Sequence, residues 1–594
     1  MSDNDQTFHW GDRRAGGLIA LGFALLYMGT AAGHVLGGDA GEFAVVGATG
    51  GYAHPPGYPV YSLYLALFGG LPLSTPAHEA ALATGVIGAA AVGLLYLALR
   101  AWNASRFGAL LATLVFGLAA EIWLLHTIPE AFALNHLVAA ATLYVAAPSG
   151  PLRGRGRMVA LGACAALGVA HHHTIIFLLP VGLYGVWRAV DESEDHPAAS
   201  LAAGLAVALV GLLAYGYLLW VGRMVPDAFH WAEIEGWSDL VRIFLRRDYG
   251  TFALTTEDGH GVSVLTQWAT LATEVSADLL YLPVLLALVG FASPFVGRLD
   301  GGERFARLGA TALVAAWLLC GPVFVAMIGR GVSGADYLHL RKFHALFELM
   351  TVVGCAFGAT LLERHVSRRS LALFLLAGVI LAGGAHALPF RQDHTGPTVE
   401  QYVRDTLEAL PDDAILVGDS DHRYVGFAYG QRALGLRPDV DYIDTQILGF
   451  DWYRDRVESQ LGFKTGATGD QTHIGRLFER VRQSGRPLFV THRFHPKMEQ
   501  YWRLEPVGTA FRLLPAEAAG TPPAEQFDRQ IDRLQDAHIV PRPWVPKTSW
   551  SHLVLTHYGL VWQFSARQLH EAGQRERAHR ARSISEKFAP WIWD

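Results

Sequence analysis

Between Arg14 and Arg100 the chain has no Lys or Arg, yet it sets two carboxylates, Asp39 and Glu42, directly after an apolar stretch. Their i,i+3 spacing puts both on one face wherever residues 39–48 are helical. Two nearby carboxylates push one another's pKa up, which makes one of them a better base. The following GATGGYAHPPGYP cannot continue a helix. Gly50 and Gly51 break it, and Pro55, Pro56 and Pro59 impose extended or turn backbone. Residues 37–59 therefore read as an ordered shelf that presents two acids, His54, Tyr52 and Tyr58.

Two basic clusters could answer these acids. WSDLVRIFLRRDYG (237–250) gathers Arg246, Arg247 and Tyr249, and DYLHLRKFH (336–344) carries Arg341 and Lys342. Both suit an anionic group; attraction to anionic lipid heads or snorkelling at the interface explains them equally. His171, His172 and His173 stand in a row at a turn. They suit phosphate, a metal shared with the acids, or a polar cap at the interface. Glu130 begins a helix, where a negative charge is favourable. His54, beside Pro-Pro, suits a positioning hydrogen bond.

The elements that must hold these residues are mostly membrane spans. Of 594 residues 51% are hydrophobic and 17% charged, with mean hydropathy +0.25. An ordinary soluble domain carries roughly 25% charged residues. The net charge of -6 gives no sign of nucleic-acid binding. Cys164, Cys320 and Cys355 each sit in an apolar run, so no disulfide framework or Cys-based metal site is expected. Stretches near 15–36, 78–100, 105–124, 131–148, 158–170, 174–190, 199–222, 276–297, 306–328, 343–363 and 369–389 approach the length a bilayer requires. The fifth and sixth are short and read either as a broken hairpin or as one long helix. The first is read as a retained helix and not a cleaved signal.

Arg-rich loops at 13–14, 100–106, 153–157, 188, 298–307 and 364–369 place the N-terminus in the cytoplasm. Loops 37–77, 124–130 and 171–173 have no Lys or Arg and fall outside, as does everything after residue 390. The expected fold is a mainly α polytopic membrane bundle of about eleven spans, with an extracytoplasmic α/β domain ending in helices. The expected boundaries are 1–389, 390–520 and 521–594. In the second part AILVGD (414–419), DVDYIDTQIL (439–448) and PLFVTH (487–492) read as strands, with Asp419, Asp421 and Asp441 near strand ends. From about 523 the pattern turns helical, with Gly573 at a turn.

GGDAGEF followed by AHPPGYPVYSL resembles the acidic-loop signature of a family of multi-pass membrane glycosyltransferases. It is a bacterial family of unknown function related to a vertebrate protein O-mannosyltransferase, within the GT-C superfamily. PEAFALNHL (129–137), GVAHHHTIIFLLP (168–180) and the block 414–453 resemble further family blocks. Phe132 stands where the family usually has Tyr. The soluble turn reads Gly-Asp-Ser-Asp-His-Arg where the family has Asn-Gly-Asp-Asn-Asp.

The resemblance implies an inverting, O-mannosyltransferase-like enzyme of the inner membrane. It would move a sugar from a polyprenyl-phosphate donor to a protein or glycan acceptor outside. Asp39 is then the expected base and Glu42 its partner. Arg341, Lys342, Arg246, Arg247 and His171–His173 are the expected donor-phosphate ligands. His54, Tyr58, Glu130 and Tyr249 are the expected positioning residues. No cofactor beyond the lipid-linked sugar is implied, and a divalent metal stays open. Two other readings remain: a transporter or flippase of lipid-linked sugars, and a non-catalytic scaffold. Polar groups gathered at one face favour a surface reaction over passage.

Overall fold

The computed structural model describes residues 10–71, 73–193, 196–250, 262–296, 303–328, 340–365, 369–466, 474–542 and 544–593. Arg298 and Arg368 of the inner loops, and residues 336–339 ahead of Arg341, lie outside the described residues. Among the described residues six helices are long and apolar enough to cross a bilayer. They are Pro76–Ala101, His173–Asp191, Pro197–Met224, Arg307–Ile328, Lys342–Glu363 and Ala372–Ala409. Val264–Asp278 and Leu282–Phe295, bent by 111° at their junction, add a seventh if they form one crossing. Leu280 and Tyr281 make that bend at positive φ.

Shorter helices occupy other expected segments: Arg106–Leu118, Phe132–Ala146 and Gly154–Val169. The first helix, Trp10–Gly29, ends before the expected residue 36. The Ala32 N–H leaves the helical path to donate to Thr127 O at 2.8 Å. The doubtful fifth and sixth segments are two helices, separated by the turn that holds the three histidines. Glycine permits the tightest contact between spans. A Cβ on Gly290 would stand 2.0 Å from Gly354 O, and one on Gly358 2.0 Å from Leu286 O. Small residues of this kind let helix backbones touch where lipid gives no hydrophobic drive.

Beyond the last span a five-stranded sheet forms from β1 (Ile415–Gly418), β2 (Asp441–Asp444), β3 (Leu488–Val490), β4 (Trp502–Val507) and β5 (Ala510–Pro515). Its order is β2-β1-β3-β5-β4. β1 runs parallel to β2 and β3, with Ile415 opposite Asp441 and Leu488. β5 pairs antiparallel with β3 and β4. The three strands read from sequence are β1–β3, while the β4–β5 hairpin went unread. Helices Pro523–Asp536, Trp550–Glu571 and Arg575–Phe588 follow, with Gly573 at φ 73 in the last turn.

The sheet shares one hydrophobic core with the shelf and with residues 215–243. Ile415, Val417 and Tyr429 pack in the same cluster as Phe43, Val45, Tyr52, Phe229 and Trp231. The region after residue 390 is thus fastened directly over the acidic loop.

Candidate functional site

The shelf begins with the helix Asp39–Thr49, which Gly50 closes at φ 74. Asp39 and Glu42 occupy its first turn, where exposed N–H groups favour negative charge. After a short extended turn, Pro59 starts the helix Pro59–Phe68. The turn is fixed from outside. Tyr52 N–H donates to Phe229 O at 3.0 Å, Trp231 N–H to Tyr52 O at 3.3 Å, and the Tyr52 hydroxyl to Ala232 O at 2.6 Å. A Cβ on Gly51 would sit 1.8 Å from Phe229 O, so glycine is what lets the two segments meet.

Lys342 Nζ donates to Asp39 Oδ2 at 2.5 Å and to Glu130 Oε1 at 3.3 Å. The Asp39 side chain is 25% exposed and that of Lys342 10%. Arg341 turns the other way, forming an ion pair with Glu121 at 2.6 Å and lying 4.4 Å over the Phe390 ring. Asp39, Glu121, Glu130, Arg341 and Lys342 line one cavity together with His394 and Trp550. Burial pushes Glu130 up to about 7 against the pull of Lys342.

Behind Asp39, buried Glu42 holds His54 twice. Its Oε1 accepts the His54 backbone N–H at 2.8 Å, and its Oε2 lies 2.5 Å from Nδ1. The far nitrogen of that ring, Nε2, is 3.2 Å from the Tyr58 hydroxyl and 4.0 Å from Asp39 Oδ2. Burial raises the Glu42 pKa even against the nearby imidazole. Burial would lower His54, but the Glu42 and Asp39 charges reverse it and hold His54 above its usual value. Both directions describe a pair that keeps one proton between Nδ1 and Oε2.

Asp39, Glu42 and His54 offer donor atoms within 4.8 Å of one another, a spacing that suits a divalent ion. Lys342 already supplies a cation against Asp39, and both Glu42 oxygens are turned to His54. A metal would have to displace these contacts.

The triple histidine does not act as one group. His171 Nε2 donates to Ala131 O at 2.8 Å, and burial lowers the His171 pKa to about 4. His172 Nδ1 accepts the Thr174 N–H at 3.3 Å, capping the helix His173–Leu178, while its ring packs among Tyr58, Phe132 and Phe343. His173 faces Phe244. None of the three lines the cavity of Asp39 and Lys342. Arg246 lies 5.7 Å over the Tyr249 ring and exerts charge on His54 and Tyr58, whereas Arg247 is exposed. Tyr249 sits 6.4 Å from His54, ring to ring.

Sequence reading missed the pairing of Glu121 with Arg341, the place of His394 and Trp550 in the cavity wall, and Trp231, whose ring is 5.9 Å from His54. The polar position of Glu121 near a span end was the one local signal. The aromatic residues carry none.

The family described as protein O-mannosyl-transferase TMEM260 N-terminal domain matches residues 39–194, a stretch that opens on Asp39 and takes in Glu42, His54, Tyr58, Glu130 and the three histidines. The protein O-mannosyl-transferase TMEM260 of Mus musculus is 26% identical over 443 residues, covering 72% of this chain and 62% of the mouse protein. That of Dictyostelium discoideum is 22% identical over 475 residues, covering 74% of this chain and 58% of its own length. The chain therefore matches less than two thirds of the length of either relative. Two solved structures are similar at lower identity. The ArnT protein of Cupriavidus metallidurans bound to undecaprenyl phosphate is 14% identical, with TM-score 0.47 over 86% of this chain and 99% of that one. The S. cerevisiae protein O-mannosyltransferase Pmt1-Pmt2 complex bound to its sugar donor is 17% identical, with TM-score 0.31 over 38% of this chain and 37% of that one.

Proposed function

We propose that this chain, a homologue of the TMEM260 protein O-mannosyl-transferases, is a GT-C-type membrane glycosyltransferase that moves mannose from a polyprenyl-phosphate donor to a protein hydroxyl. In this reading the spans of 1–389 form the catalytic part. The chain crosses the inner membrane about eleven times, and the shelf, the sheet region 390–520 and the helices of 521–594 lie outside.

The observation that carries the proposal is the contact of Lys342 with Asp39 in a cavity that also holds Arg341 and Glu130. Transfer joins the acceptor oxygen to the sugar C1 and breaks the bond from C1 to the phosphate oxygen. The bonding pair leaves with the lipid phosphate, and attack from the opposite face inverts C1. Asp39 takes the acceptor proton, a role worth about 100- to 10,000-fold in rate. Lys342 and Arg341 meet the charge that grows on the phosphate. Glu42 fixes His54, whose Nε2 faces Asp39 and orients the acceptor hydroxyl beside it. As the phosphate draws Lys342 away, Asp39 loses its cation and becomes the stronger base.

The test uses the full chain in detergent with labelled polyprenyl-phosphate mannose, other lipid-phosphate sugars and a hydroxyl-bearing peptide. The parent is expected to label the peptide and Asp39→Asn to fail while remaining folded, as judged by circular dichroism. Equal labelling by both proteins removes Asp39 as the base. Labelling by neither, with every donor, overturns the transferase reading.

A further inference from the structure

A second and larger opening lies between residues 233–248 and the helix Asp451–Leu461, a cleft of about 990 Å³. That is within the size of ordinary ligand pockets, roughly 300–1,000 Å³. Nothing in the transfer step described above uses it.

Three features of its walls point to an occupant. The first is charge: six carboxylates line it against two arginines. Arg242 is answered by Asp248 and Arg456 by Glu233. Glu235 and Asp455 are exposed and form no ion pair among the described residues. The second is an aromatic wall. Phe450 and Trp452 stack at 5.9 Å, and Trp452 is only 8% exposed. Its indole Nε1 has no acceptor among the described residues, a donor that a peptide carbonyl would satisfy. The third is continuity with the acidic shelf. Trp452 lies 6.2 Å from Trp231, and Trp231 5.9 Å from His54. In parallel, Phe450 lies 6.3 Å from Tyr249, and Tyr249 6.4 Å from His54. Two rows of rings thus run from the cleft to the residue that stands 4.0 Å from Asp39.

We propose that this cleft is the acceptor groove, and that it takes a polypeptide segment carrying Lys or Arg near its Ser or Thr and holds it beside the aromatic rows that reach His54. The inference rests on the transferase reading and adds the class of acceptor. Cationic side chains meet the excess carboxylates and the face of Phe450. Phe450, half-buried at the cleft, gives extended backbone a planar face at little entropic cost. The sheet region then has a definite task. Its helix Asp451–Leu461 forms one wall, and residues 233–248 of the membrane part form the other.

Binding tests the groove apart from transfer. The full chain in detergent, without donor, is titrated with a Ser/Thr peptide flanked by Lys and with its counterpart carrying Glu at those positions. The Lys peptide is expected to bind, with affinity falling as salt is raised. The Glu peptide should bind about tenfold more weakly, the sum of several weak exposed pairs. Glu235→Gln with Asp455→Asn should weaken the Lys peptide several-fold and leave Glu-peptide binding unchanged or tighter. Equal affinity for the two peptides overturns the proposal, as does indifference to the paired amide changes. Binding of a neutral oligosaccharide in preference to the Lys peptide overturns it as well. Lys-peptide binding with no sugar transfer by any donor would keep the groove and sink the transferase reading. Transfer without charge preference would do the reverse.

Discussion

Lys342 and Asp39, 303 residues apart in the chain, meet at 2.5 Å, and Glu130 shares the same ammonium group at 3.3 Å. Two carboxylates around one buried cation make a site in which each charge depends on the others. Lys342→Met should therefore lower sugar transfer by at least about 100-fold, as the loss of a charge that stabilises a leaving phosphate does. Arg cannot take the place of the point charge between two close acids, so Lys342→Arg should recover little. Initial rates against donor concentration provide the check. A Lys342→Met enzyme with near-parent rates would show that the ammonium only holds the fold.

The Glu42–His54 pair sets a pH dependence whose sign can be worked out. Both groups are raised in the folded protein, so folded chains keep the shared proton above pH 6.5, where unfolded chains release it. A raised group contributes stability below its unfolded pKa and loses that contribution as pH climbs through the folded value. The difference in thermal midpoint between the parent and Glu42→Gln/His54→Gln should thus shrink in the parent's disfavour from pH 6.5 upward. The matching change in unfolding free energy should be at most about 1.4 kcal/mol per pH unit, the value for one proton. Parallel midpoint curves for the two proteins over that range would mean that the pair does not hold an extra proton.

The chemistry was easier to read than its wiring. Asp39, Glu42, Glu130, Arg341 and Lys342 stand out because charge is sparse in a chain that is 17% charged. Which acid faces which cation is set by how helices far apart in sequence cross, and neither composition nor periodicity carries that. Lys342 and Arg341 are neighbours yet point to different acids, Asp39 and Glu121. The three histidines show the same in reverse. They are adjacent in the chain, but the turn into His173–Leu178 sends each ring to a different partner.

Strands β1–β3 were legible as short β-branched runs between turns. The β4–β5 hairpin was not, because Pro506 and the charged Arg503, Glu505 and Arg512 blur the alternation. The fusion of the sheet with the shelf was also out of reach. Its core draws apolar residues from 35–87, 215–243 and 415–513, and no one of these stretches advertises a missing partner.

Gly41 shows how tightly that fusion is built. A Cβ there would lie 2.2 Å from Leu36 O and 2.7 Å from Val425 of the helix Asp421–Arg432. The first neighbour is backbone and cannot swing away. Gly41→Ala should cost about 1–3 kcal/mol, the usual price of overpacking, and loosen the sheet region from the shelf. Limited proteolysis should then cut near residues 395–397 faster than in the parent. An unchanged cleavage rate and midpoint would argue that the two regions are not mechanically joined at Gly41.

Arg341 presents the last test, because its two contacts predict different outcomes for different replacements. Its guanidinium pairs with Glu121 and lies over Phe390, an arrangement a flexible ammonium cannot copy. If Arg341 contacts the donor phosphate, Arg341→Lys keeps the charge but loses the planar fork. The KM for the lipid donor should rise about tenfold, with a smaller change in kcat, as expected where binding is lost in ground and transition states alike. Glu121→Gln should act more weakly in the same direction, since it removes the carboxylate that aims the guanidinium and leaves the guanidinium itself. Phe390→Leu removes the ring alone and should affect midpoint more than KM. A donor KM unmoved by Arg341→Lys, together with a lowered midpoint, would confine Arg341 to anchoring the helix Arg369–His394.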